Sequence, residues 1–334
     1  MSETIASLSI AAHATLNMHS LNNEGGEGNQ IQTRMVDIVG SDGQLHNVNA
    51  ISGDMLKRVL MEHFYQQARA HKLALCQGCQ GFNPNRITAD TEFTKRAATE
   101  KWSDGRLINE LLNACAIDDV AGILVTEGRS TPRKSVSEFG WVLGLPGRVR
   151  TNSYFHVKYA LERGEEARKV DAQEQKGGAN RGQSIFHRPA SSGVYALVCH
   201  LELARVGYND ITQRYAIGDN ERRVRASLLL ESLLHTFIEL NGAMRSTQLP
   251  HLVALEGIIT LSRGVQPAPL VSPLLEGGEG RSGYIEQTEE IVVALNGGGE
   301  PQVESRRFAT IGEFANAMRT LVDACTPFEL LDGR

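Results

Sequence analysis

At 334 residues, 41% apolar and 22% charged, the chain has the length and make-up of an ordinary globular protein with a substantial core, in one elaborated domain or two lobes. A formal charge of -5 argues against a uniformly basic nucleic-acid binder, but the charge is uneven: residues 127–188 hold twelve Lys/Arg against seven Asp/Glu, and residues 265–334 hold five against eleven. One face can therefore suit a polyanion while another repels it. The five cysteines make no disulfide framework, no apolar run is long enough for a bilayer, and Met1-Ser2-Glu3-Thr4 is not a signal peptide, which places the chain in a reducing cytoplasm with no membrane partner.

Ile5 to Leu16 opens as an alternating, half-buried strand, expected at the centre of the first sheet. A glycine-rich loop from Asn22 to Gln30 carries Glu24 and Glu27, Thr33 to Ile38 resumes extended alternation, and Ser41-Asp42-Gly43 is a turn. Val48 to Ile51 then leads through Ser52-Gly53-Asp54 into a helix running to about Ala70, with Met55, Leu56, Val59, Leu60 and Phe64 at helical spacing. Ser52 suits an N-cap, Gly53 permits close backbone approach, and Lys57 and Arg58 fall off the apolar stripe. A helix start with free N–H groups and two cations is suited to phosphate, although an ordinary capped helix reads the same way.

Residues 71–119 read as an inserted helical subdomain whose best helix spans Gly105 to Ala116. Val120 to Thr126 looks like a buried strand, followed by an irregular basic loop from Gly128 to Lys134. A strand from Thr151 to Tyr159 runs into a polar tract, Glu162 to Gly182, too poor in large apolar residues to pack a core, and Ile185 to Pro189 marks its return. A long strand follows over Gly193 to Val206. The strongest helix spans Glu221 to Leu240, with Val224, Leu228, Leu229, Leu233 and Phe237 inward and Asn241-Gly242 as a left-handed cap. A polar loop then precedes a strand from Leu252 to Leu261, glycine-rich turns flank a strand over Ile291 to Leu295, and Ile311 to Cys325 forms a terminal helix.

Three constellations bear on chemistry. Glu24 and Glu27, with Asp37 or Asp54, could hold a divalent ion, but their spacing is that of an exposed loop. Cys76-Gln77-Gly78-Cys79 has metal-knuckle spacing, yet zinc needs two more ligands, and Cys115 or a distant histidine would have to complete it in space; two reduced thiols in a turn is the plainer reading. Basic residues recur on loops, namely Arg34, Lys57, Arg58, Arg129, Arg133, Lys134, Arg188 and Arg245, at strand ends and helix starts where phosphates of a single strand could be tracked. Phe155, Phe186 and His187 are candidates for stacking, with core packing the commoner role for the two phenylalanines.

Several stretches resemble, in order, the DevR-type Cas seven family, the backbone subunit of type I CRISPR Cascade complexes. They are Ser9 to Leu21 followed by Asn22-Asn23-Glu24, Ala50 to Lys57, Asp119-Val120-Ala121-Gly122, Phe155 to Tyr159, Ser192 to Ala196, and Gly242-Ala243-Met244-Arg245-Ser246. The resemblance implies an α+β fold: a modified RNA-recognition-motif (ferredoxin-like) palm over 1–70, 120–160 and 185–334, a helical insertion over 71–119, and a projecting thumb hairpin over 161–184. It implies head-to-tail stacking of copies along CRISPR RNA, with pairing to target DNA and contacts to other Cascade subunits. Carried over by residue, Ser52, Gly53, Lys57 and Arg58 meet the guide backbone, Arg245 and Ser246 form a second contact loop, and Lys169 to Arg188 supplies the thumb.

This chain departs from the family at Asp54, where a smaller polar residue is usual, and at the Cys76/Cys79 insertion. Type III relatives place a cleaving aspartate in the first loop, whereas here the positions read Asn22-Asn23-Glu24. The reading is thus a non-catalytic, guide-binding scaffold without cofactor or metal. The alternative is a metal-dependent endoribonuclease using Glu24, Glu27 or Asp37, and an RNA-free regulator is a third class.

Overall fold

The computed structural model describes residues 3–22, 26–27, 30–159, 183–278 and 281–330. In order, β1 (Glu3–Ile5) and β2 (Ser7–His19) precede a two-residue ladder of β3 (Gly26–Glu27) and β4 (Gln30–Ile31), then β5 (Met35–Val39) and β6 (Leu45–Ile51). Helix α1 (Gly53–Ala70) follows, then α2 (Gln77–Gln80), a 3-10 turn over Arg86–Ala89, α3 (Thr91–Thr99), α4 (Asp104–Ala114) and α5 (Ala116–Ala121). The short strands β7 (Ile123–Val125), β8 (Thr131–Arg133) and β9 (Ser137–Phe139) lead to the long β10 (Val142–Tyr159) and β11 (Gln183–Leu201). A small ladder of β12 (Tyr208–Asn209) and β13 (Arg214–Tyr215) precedes α6 (Asp219–Ile238) and β14 (His251–Ser262). The described chain closes with α7 (Tyr284–Asn296), β15 (Val303–Phe308), α8 (Ile311–Ala324) and β16 (Cys325–Pro327). No described helix is long and apolar enough to cross a membrane.

One sheet organises the molecule in the order β15-β14-β2-β11-β10-β6-β5, with antiparallel pairing along that path. The opening strand is central, as its pattern predicts, but it is buried on both faces rather than half-buried. Leu8, Ile10, Ala12, Ala14 and Leu16 face the main core under α1 and α6. The other face, Ser7, Ser9, Ala11 and His13, is small and polar, and the chain segment after β14 covers it. Ser9 Oγ donates to the Ala268 carbonyl (2.9 Å), Thr260 Oγ1 to that of Pro269 (2.6 Å), and His13 Nε2 lies 2.7 Å from that of Pro273. Satisfied hydroxyls and small residues let a second layer close over a face that reads as solvent-exposed.

Other expectations need correcting. Val120 and Ala121 end α5 and are not part of a strand. The chain breaks at Gly122, whose φ is +66° and whose hydrogen faces the backbone of Ser135 and Arg133, so no side chain fits there. The basic loop after it contains β8, with Pro132 tolerated because the two-stranded β7–β8 ladder is short and isolated from the main sheet. Ile291 to Leu295 is helical. Its β-branched residues suggest a strand, but Tyr284, Thr288 and Val292 fall at helical spacing and are the buried positions, while Val293 is 72% exposed. Val224, expected inward, is instead exposed on α6, while its neighbours Arg222 and Arg225 are buried. That helix ends at Ile238, and Gly242, not in a left-handed conformation, is small because Leu21 packs against its α-carbon.

A buried ion cluster ties these layers together. Asp119 accepts from Arg133 Nη2 (2.7 Å), Arg225 Nη1 (2.9 Å) and the Gly207 amide, and all three side chains are excluded from solvent. Arg133 also donates to the carbonyls of Arg205 (2.7 Å) and Tyr208 (2.8 Å) and to Asp210 (3.1 Å). The charges persist in the interior because Asp119 and Arg133 have every polar atom paired and Arg225 is held through both terminal nitrogens, to Leu112, Asp119 and Glu221, with only its Nε lacking a hydrogen bond.

Candidate nucleic-acid interface

The end of β2, the start of α1 and the loop after α6 meet at one cleft of about 540 Å³. Asn22 builds the junction. Its Nδ2 donates to the Ala50 carbonyl (2.6 Å) and its Oδ1 accepts from the Ser52 amide (2.9 Å), which fixes the turn from β6 into α1. Ser52 is the N-cap, its Oγ accepting from the Met55 amide (3.3 Å). From the other side, the Ala243 amide donates to the Leu21 carbonyl (3.1 Å), so the second loop is laid against the first.

Arg34, Ser52, Arg58, Asn241 and Gly242 line this cleft. Arg34 lies 5.4 Å over the ring of Trp141, a residue that is 45% exposed. Arg58 projects with its side chain 72% exposed, 3.9 Å from Glu62. Arg245 is oriented by Asn241 Oδ1 (2.5 Å) and Glu239 Oε1 (2.5 Å), and Arg188 on β11 donates to Thr247 of the same loop (2.9 Å). Exposed Ser246 lies between them. Cations held at their stems around the positive end of an eighteen-residue helix suit an extended polyanion. Asp54 and Glu62 also line the cleft, so anions are favoured at its cationic rim and disfavoured beside these carboxylates.

Lys57 turns away from this cleft into a neighbouring one of about 350 Å³, shared with Arg58 and Arg86. Burial and the Arg86 charge lower its proton affinity. Gly53 has close backbone approach, but to its own chain: a Cβ there would come 2.6 Å from the Phe139 carbonyl oxygen.

The remaining candidates lie elsewhere. Arg129 is spent on the Trp102 carbonyl (3.0 Å) and Asp104 (3.2 Å), and Lys134 pairs with Glu138 (3.1 Å). Arg133, expected on a basic loop, is the buried partner of Asp119 and meets no solvent. Lys169, and the expected thumb apart from the first residues of β11, fall outside the described residues. The strands on either side pair as a long ribbon, Val149 with Gly193 through Tyr159 with Gln183. Phe155 on that ribbon is 60% exposed against His187 and is not a core residue.

Of the carboxylates weighed for cleavage, Glu24 is outside the described residues, Asp37 accepts from Asn47 (2.7 Å), and Asp54 stands on α1. Among the described residues the group with metal-ligand chemistry is instead Cys76, Cys79, Cys115 and Asp118. Burial pushes Asp118 up to about 8. Sequence reading found the first two of these and named Cys115 as a possible third, but missed Asp118, along with Asn22, Trp141 and Asn241 at the cleft. The Asn22 and Asp118 roles depend on contacts 28 or more residues away in the chain, which local spacing does not carry.

Residues 10–289 match the family described as CRISPR-associated negative auto-regulator DevR/Csa2. The chain belongs to the DevR/Csa2 family. The match takes in most of β2, both cleft loops, the Asp119 cluster and the β10–β11 ribbon. A CRISPR-associated protein Cas7/Cst2/DevR from Methanocaldococcus jannaschii is 26% identical over 297 residues, 85% of this chain and 88% of its own length. A chain of a CRISPR RNA-guided surveillance complex, pre-nicking, aligns with a TM-score of 0.52 at 11% identity, covering 95% of this chain and 99% of that one. A chain of a second CRISPR RNA-guided surveillance complex aligns at 0.46 and 12% identity over the same shares. The DevR/Csa2 chain thus shares with the first of these a mixed α/β fold built on antiparallel pairing.

Proposed function

We propose that this chain is a non-catalytic, guide-RNA-binding backbone subunit of a type I CRISPR effector complex. Copies stack head to tail along the CRISPR RNA, beside the other Cascade subunits, and hold the guide for pairing with target DNA. The protein then reads backbone and shape while base pairing reads sequence. The observation that carries the reading is the convergence of the capped α1 start, Arg34, Arg58 and the Arg245 loop on one cleft. Family membership adds that chains of this kind belong to CRISPR systems.

In this reading the sheet with α1 and α6 is the modified RNA-recognition-motif palm, residues 71–119 are the helical insertion, and 161–184, which apart from their last two residues lie outside the described residues, take the thumb role. Arg34, Arg58, Arg188 and Arg245 contact phosphates, with Ser52 and Ser246 supplying neutral donors. Exposed Tyr154 and Phe155 at the ribbon offer faces for stacking.

Co-expression with a matching CRISPR RNA tests this. A large assembly containing RNA of one protected length is expected, and the Arg34→Ala/Arg58→Ala/Arg245→Ala variant is expected to fold but lose the RNA. Folded wild-type protein that stays monomeric and RNA-free would overturn the scaffold reading. Magnesium-dependent cutting of RNA at regular intervals would replace it with the endoribonuclease.

A further inference from the structure

Cys76, Cys79, Cys115 and Asp118 are buried, and their ligand atoms all lie within 4.8 Å of one another. They come from two matching turns. Cys76 caps α2 and its Sγ accepts from the Cys79 amide (3.4 Å); Cys115 caps α5 and its Sγ accepts from the Asp118 amide (3.5 Å). Cysteine is an unusual helix cap, a place normally held by Ser, Thr, Asp or Asn. Two such caps facing each other, each with a second ligand three residues on, place four donors around one point. Backbone N–H groups aimed at sulfur are also the contacts that orient metal-bound thiolates.

Buried cysteines alone are well explained as small apolar residues. Asp118 is not explained that way. Its Oδ2 is approached by the sulfurs of Cys76 (3.4 Å) and Cys79 (3.7 Å), while its Oδ1 is buried without a hydrogen bond, and the nearest cation, Arg86 Nε, is 3.9 Å away. A carboxylate placed among thiols with one oxygen unpaired costs stability unless a cation is bound there.

We propose that Cys76, Cys79, Cys115 and Asp118 form a structural zinc site. Three sulfurs and one carboxylate oxygen are a closed tetrahedral set that favours zinc over calcium or magnesium. With Zn–S bonds of about 2.3 Å, sulfurs in a tetrahedron stand roughly 3.8 Å apart, so the group closes on the ion by about an ångström at its widest. Each thiol releases its proton to solvent on binding, and Arg86, itself held by the Gly122 carbonyl (2.5 Å), offsets part of the remaining negative charge. The ion would fasten the α2 turn to α5, and so fix the wall of the Lys57–Arg86 cleft, to which Cys79 and Ile117 contribute.

The test is elemental analysis of the full chain purified under reducing conditions from zinc-supplemented cells, with cobalt(II) exchanged into the same protein. About one zinc per chain is expected, with an intense tetrahedral cobalt spectrum and a thiolate-to-cobalt charge-transfer band. Asp118→Asn, which keeps the volume, should weaken metal binding about tenfold or more with the charge-transfer band retained. Cys79→Ser should lose zinc, and if that variant does not fold, the cobalt spectrum of the wild type decides. Wild-type protein without zinc and without a thiolate-to-cobalt band, or a Cys76–Cys79 disulfide in freshly isolated protein, would overturn the site.

Discussion

Arg133 separates two roles that the sequence alone runs together. On a basic loop it reads as a phosphate contact, whereas the structure makes it a buried link between α5, β8 and the β12 region. Arg133→Ala removes one of the two guanidinium partners of Asp119 and leaves the carbonyls of Arg205 and Tyr208 without that donor. Deleting one partner of a buried ion pair costs about 3–5 kcal/mol, and each orphaned buried acceptor about 1–3 kcal/mol more. Arg225 and the Gly207 amide remain on Asp119, and Asp210 is 42% exposed and can rehydrate, which holds the expected loss to about 4 kcal/mol. Against a typical stability of about 5–15 kcal/mol that is a large fraction. Urea unfolding followed by circular dichroism measures it. A loss under about 1 kcal/mol at unchanged denaturant dependence would refute the argument that this cluster holds the layers together.

Three further outcomes follow from the cleft and its surroundings. Arg58→Ala should leave the urea midpoint nearly unchanged, because its pair with Glu62 is exposed, yet flatten the salt dependence of RNA binding by about 0.7 in log–log slope for one lost phosphate contact; an unchanged slope would remove Arg58 from the interface. Gly53→Ala should lower stability by about 1–3 kcal/mol, read as a fall in melting temperature, since its Cβ has to push α1 off the Phe139 carbonyl; wild-type melting would contradict that contact. His19 is buried with neither ring nitrogen hydrogen-bonded, and burial lowers its pKa from 6.5 to about 4. The unfolded chain therefore takes up this proton first, so stability is full above pH 6.5 and falls as the pH drops toward 4, by about 3 kcal/mol in all. A His19→Leu variant should lose that part of the acid slope in pH-dependent unfolding, and an unaltered slope would exclude His19 as its source.

Much of the frame was legible because its signals are local. Ser52 before an apolar stripe marks α1, and the Ile311 helix and the β14 strand stand within a residue of their expected bounds. Resemblance supplied the two loops that share the cleft. What escaped depends on contacts far along the chain. Ser7, Ser9 and His13 look like a solvent face until carbonyls beyond residue 260 cover them. The helical pattern of Tyr284, Thr288 and Val292 is masked by Ile291 and Val293, β-branched residues that point outward. Arg133 and Arg225 carry the same charge as the cleft arginines, and only the position of Asp119 between them shows that they belong to the interior.

The central place of β2 also sets a schedule for biosynthesis. Ser9 pairs with His200 on one side and with Thr260 on the other, so a strand buried along most of its length is made first and its partners last. At about 5–20 residues per second, a ribosome takes roughly 10–40 s to deliver β11 after β2, and longer for β14. Through that interval both edges of a thirteen-residue strand remain open to other chains. The yield of soluble protein should therefore respond to slower synthesis temperature and to chaperones that shield nascent strands, quite apart from the stability of the finished fold.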